Sequence, residues 1–146
     1  MVMIDINTAA TAEVYMKRSL ELAQRASGHT APNPMVGAVL VHEGRVIGEG
    51  WHHFYGADHA EVNCLKSVTE EDKGLIPEST MYVNLEPCAH YGITPPCANR
   101  LVAERVKKVV IANTDPFAQV SGKGIQILQE AGIQVEHGIM AQEGLW

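Results

Sequence analysis

From about residue 58 onward the chain alternates between helical and strand patterns, and that order constrains the fold more than any other feature. A helix is predicted over 58–68 with Asp58 as its N-cap, then an apolar strand over 81–85. A helix begins near Pro95 or Pro96, where proline suits a first turn, and a strand covers 108–113. A helix over 122–131, capped by Gly132, leads to a short strand over 133–136. Strands linked through helices run parallel. Upstream, 35–41 and 46–51 read as strands joined by the turn His42-Glu43-Gly44-Arg45, an antiparallel hairpin. Residues 11–26 read as a helix ended by Gly28, with Ala12, Tyr15, Met16, Leu20, Leu22 and Ala23 on its apolar face. The expectation is an α/β fold: a mixed five-stranded sheet between helices, a three-layer α/β/α sandwich. The 146 residues suit one domain with a real core, residues 1–146.

Two strings fall where such a fold places chemistry. His59-Ala60-Glu61 opens one predicted helix. Pro87-Cys88 follows a strand end, and Cys97 lies in the first turn of the next helix. Open α/β sheets bind ligands at the carboxyl edge of their parallel strands. One imidazole and two thiolates make a tetrahedral donor set for zinc, with a position left for water. A helix N-terminus and a metal both favour a thiolate. Zinc brings the pKa of water towards neutrality. Glu61 is then placed to take a proton from that water, pass it to a ring nitrogen and later protonate a leaving amine. His-x-Glu with Pro-Cys-x-x-Cys is the signature of zinc deaminases. Here eight residues, not two, separate the cysteines. A structural zinc recruits four protein ligands more often than three. The third thiol, Cys64, reads as a small core hydrophobe.

Composition removes several alternatives. Hydrophobic residues make up 46% and charged residues 19%, which excludes disorder. No apolar run approaches the roughly 20 residues that span a bilayer, so no membrane partner is expected. The first ten residues carry no Lys or Arg and no long apolar stretch, so no signal peptide is expected. A formal net charge of -6 without a basic cluster makes nucleic acid a poor partner. Three cysteines favour a metal site in a reducing compartment over a disulfide framework, and so a cytoplasmic location.

Further strings carry a family resemblance. They are Thr30-Ala31-Pro32-Asn33-Pro34-Met35-Val36-Gly37-Ala38-Val39, Gly48-Glu49-Gly50-Trp51-His52, His59-Ala60-Glu61-Val62, Leu85-Glu86-Pro87-Cys88-Ala89-His90, Thr94-Pro95-Pro96-Cys97, and Asp115-Pro116 through Gly122-Lys123-Gly124. In these strings and their order the chain resembles the pyrimidine deaminase domain of the bifunctional riboflavin-biosynthesis deaminase/reductase, of the cytidine deaminase-like superfamily. The eight-residue cysteine interval belongs to this family. The resemblance implies a Zn2+ enzyme that removes the ring 2-amino group of a phosphorylated diamino-ribosylamino-pyrimidinone. It implies that His59, Cys88 and Cys97 hold the metal and that Asn33 and His52 contact pyrimidine or ribose. Asp115 is expected at the ribose hydroxyls, and Thr94 near the phosphate.

Two positions depart from the family pattern. Ile93 stands where the family usually has Lys or Arg for the substrate phosphate, and His90 with helix N–H groups is expected to compensate in part. Phe117 replaces an Asn common in many members. Family members continue past Gly144-Leu145-Trp146 into a reductase domain, so the expectation is a stand-alone deaminase or part of a longer enzyme with a covalently linked reductase. A homo-oligomer follows from the resemblance alone. The rival readings are a nucleic-acid deaminase of the same fold and a non-catalytic zinc module.

Overall fold

The computed structural model describes residues 3–25, 35–53, 59–87, 97–113 and 122–138, with side chains of the first helix from residue 12. Helix α1 spans Met3–Gln24. Strands β1 (Gly37–His42) and β2 (Arg45–Trp51) form the expected hairpin. Helix α2 (Ala60–Ser67) leads through a 3-10 turn (Lys73–Glu78) to β3 (Thr80–Leu85). Then come α3 (Cys97–Ala103), β4 (Lys108–Asn113), α4 (Lys123–Glu130) and β5 (Gln134–His137). The sheet order is β2-β1-β3-β4-β5. β1 is antiparallel to β2 and β3, whereas β3, β4 and β5 are parallel. This is the mixed five-stranded sheet expected from the hairpin followed by helix–strand alternation.

Side-chain alternation along the strands builds two cores. Ala38, Leu40, Met81, Val83, Val109 and Ile111 face α2, α3 and α4, where Ala60, Cys64, Leu65, Ala98, Leu101, Ile125 and Leu128 meet them. Val39, Val41, Tyr82, Val110 and Ala112 face the other way, onto Ala12, Met16 and Leu22 of α1. Three layers result. Full burial of each large side chain stabilises the fold by roughly 1.5–3 kcal/mol.

Several boundaries differ from expectation. α1 already runs from Met3, ahead of residue 11, and ends at Gln24; Gly28 lies outside the described residues. β1 begins at Gly37, two residues later than expected. There the Asn84 side chain takes the Gly37 N–H at 2.8 Å and gives a hydrogen bond to the Met35 carbonyl at 3.0 Å, replacing strand pairing. The N-cap of α2 is His59 rather than Asp58; its backbone is extended (φ -72°, ψ 166°) and its carbonyl accepts the Asn63 N–H. The 3-10 turn holds Pro77, which denies it a longer helix. Gly132 follows α4 in the left-handed region (φ 88°), as the expected cap requires.

Candidate active site

The hairpin and the parallel strands end together. Gly37 pairs with Trp51, and Leu85 with Asn113, so the start of β1 and the ends of β2, β3 and β4 share one edge. His52 follows β2 directly and is 2% exposed. Its main-chain N–H reaches the Val36 carbonyl at 3.0 Å.

Helix α2 is held against this edge at backbone range. A Cβ at Gly50 would overlap the Cys64 nitrogen and the Ala60 carbonyl, so only glycine lets the helix approach. The Asn63 side-chain amide donates to the Trp51 carbonyl at 2.9 Å and fixes the helix along the strand end. The first turn of α2 thereby brings His59 beside His52, their rings meeting edge to face with centroids 5.0 Å apart.

Glu61 lies in that same first turn and is 3% exposed. Cys97 opens α3, buried at 2% exposure, and its Sγ lies 3.1 Å from Nδ1 of His59. A nitrogen and a sulfur bound to one tetrahedral zinc at ordinary bond lengths stand roughly 3.6 Å apart. The pair suits a shared metal in donor type, and a bound ion would part the two atoms by about 0.5 Å. Among the described residues no group of three or more His, Cys, Asp and Glu side chains is placed to hold a metal. The third expected donor, Cys88, lies outside them, as do Asn33, His90, Thr94 and Asp115.

Cys64 faces the core and is fully buried. Burial, and then the negative charges of Glu61 and Glu49, push its thiol well above the usual thiol range. It is the inert core residue expected, not a donor.

Three residues that hold the edge together carry no role in the sequence reading: Asn63, Asn84 and Glu86. The signal for the last two was present, since polar residues two apart at the end of an apolar strand are costly unless bonded. Glu86 is 4% exposed and its carboxylate accepts the N–H groups of Gly122, Gly124 and Ile125.

A mixed five-stranded sheet flanked by helices, with His-x-Glu opening one helix and a cysteine the next, is the cytidine deaminase-like architecture. The chain belongs to the cytidine and deoxycytidylate deaminase family, whose zinc-binding region matches residues 9–113. It is 50% identical over 131 residues to the riboflavin biosynthesis protein RibD of Escherichia coli, covering 90% of this chain and 35% of that one. It is 44% identical over 129 residues to the diaminohydroxyphosphoribosylamino-pyrimidine deaminase of Buchnera aphidicola from Schizaphis graminum, covering 88% of this chain and 85% of the relative. The RibD structure from Acinetobacter baumannii superposes with a TM-score of 0.86 at 48% identity, over 93% of this chain and 37% of that one. The chain thus spans about a third of the RibD relatives and most of the Buchnera deaminase. The family expected from the sequence strings is the family found.

Proposed function

We propose that the chain is a zinc-dependent hydrolytic deaminase of diaminohydroxyphosphoribosylaminopyrimidine, the substrate class in the Buchnera relative's name. His59, Cys88 and Cys97 would hold the metal. Zinc would supply Lewis acidity there, lowering the pKa of water to give a nucleophile at neutral pH. The approach of His59 to Cys97 within 3.1 Å, beside buried Glu61, carries this reading.

Glu61 acts as the proton carrier. Its carboxylate takes one proton from water and delivers it to the ring nitrogen next to the carbon under attack, then takes the second from the newly added hydroxyl and passes it to the departing amine. Water adds to that carbon, the carbon–nitrogen bond breaks, and ammonia leaves with a ring carbonyl in its place. The burial of Glu61 keeps bulk water from competing for that proton. His52, buried against His59, contacts pyrimidine or ribose together with Asn33. Asp115 holds ribose hydroxyls, while Thr94 and His90 serve the phosphate end.

The enzyme is read as a single deaminase domain acting as a homo-oligomer in the reducing cytoplasm, in keeping with donors that must stay thiolates. A covalently linked reductase is the partner implied by the RibD relatives, of which this chain spans about a third. Among the described residues no helix is long and apolar enough to cross a membrane. The test is ammonia release from the phosphorylated pyrimidine and from its dephosphorylated form. Release from the phosphorylated compound supports the reading, with equal rates meaning that Ile93 marks lost phosphate recognition. Release from neither overturns it.

A further inference from the structure

Glu86 is a buried carboxylate that the chemistry above does not use. Its Oε1 accepts the Gly122 N–H at 3.0 Å, and its Oε2 accepts those of Gly124 at 2.9 Å and Ile125 at 3.2 Å. These are donors at the start of α4, which an α-helix cannot satisfy within itself. The helix's own N-cap is Gly122, which has no side chain to do this. Gly122 sits in the left-handed region (φ 85°), where a Ser or Asp would be strained and could not take the extended backbone of an ordinary N-cap. The long-range cap ties two segments together instead.

The main chain is equally closed in. A Cβ at Gly124 would overlap the Pro87 carbonyl oxygen and crowd the Glu86 carboxylate. The first turn of α4 therefore rests directly on Glu86 and Pro87, and proline's fixed φ leaves that backbone little freedom. The next residue in the chain is Cys88. On the opposite flank of β3, Asn84 holds the start of β1 through Gly37 and Met35. The carboxyl end of β3 is thus gripped from both sides.

We infer that Glu86 is a positioning residue for the metal centre: its hold on α4 fixes the backbone of Pro87, the residue that precedes the proposed ligand Cys88 in the sequence. This rests on the zinc reading above. Groups behind metal ligands commonly govern affinity, and their loss weakens metal binding about 10–100-fold. A plain helix cap would change stability and leave the metal untouched.

Cobalt(II) is the probe, because its visible absorption bands report the geometry and donors of the site. Affinity is read by competition with a chelator. Glu86→Gln should bind cobalt about 10–100-fold more weakly and with altered bands. Gly124→Ala leaves Glu86 intact but displaces Pro87, and it should alter the same bands. Gln129→Gly weakens α4 on its exposed side and should lower the melting temperature with affinity and bands unchanged. Unchanged cobalt affinity and bands in both Glu86→Gln and Gly124→Ala, with only a lower melting temperature, would make Glu86 a helix cap and overturn the inference. A wild-type chain that takes up neither cobalt nor zinc would overturn the metal reading itself, and this inference with it.

Discussion

Nδ1 of His59 and Sγ of Cys97 stand 3.1 Å apart although they are 38 positions apart in the chain. Each sits at the start of a helix on the same face of the sheet, and the strand edge beneath sets their spacing. Zinc bound between them would stabilise the folded state, since metal binding to the native form alone adds to folding free energy. Chelation is expected to lower the melting temperature, and zinc to restore it. Cys97→Ala should abolish that response. Cys64→Ala should keep it and still bind one zinc per chain. Calorimetry with metal analysis checks all three.

Gly50→Ala pushes a methyl group into the α2 backbone at Ala60 and Cys64, where no flexible side chain can yield. Overpacking of this kind costs about 1–3 kcal/mol. The strain falls on the helix that carries His59 and Glu61. Urea unfolding should show the stability loss, and zinc content should fall with it.

Asn84→Ala removes the acceptor for the buried Gly37 N–H and the donor to the Met35 carbonyl. A buried polar group left unpaired costs about 1–3 kcal/mol. Urea unfolding should show a loss in that range.

Glu49 receives Arg18 Nε at 2.6 Å and a second guanidinium nitrogen at 3.0 Å, which links β2 to α1. Those hydrogen bonds hold its carboxyl below the usual carboxylate range, against the opposing effect of burial. A group with a lowered native pKa contributes stability above its unfolded pKa, about 4.3 for Glu. That contribution disappears as pH falls through the native value, because the unfolded state binds the proton more readily. The melting temperature should therefore drop on acidification below about pH 4.5. Glu49→Gln should show a shallower drop over the same range.

The sheet and the helix starts that carry His59 and Cys97 were legible in the sequence because both obey short-range rules. Alternation marked β1, β3 and β4 to within one or two residues, and β4 coincided with 108–113. The pairing of His59 with Cys97 followed from two helix starts. A polar residue at the end of an apolar strand marked Glu86 as bonded, but its partners were not legible, because they lie 36 to 39 residues away and a cap at that distance leaves no local pattern. Asp58 looked the better N-cap by residue type, yet His59 takes the position. Its ring is turned to Cys97 and His52 and gives the helix no side-chain cap.

Glu61→Gln is the most direct measurement, because it separates holding the metal from moving the proton. The amide keeps the size of the buried side chain and loses its basicity. Zinc should remain at one per chain, while ammonia release from the phosphorylated pyrimidine falls by at least about 10²–10⁴-fold. Undiminished ammonia release with zinc still bound would contradict the assignment of Glu61 as the proton carrier.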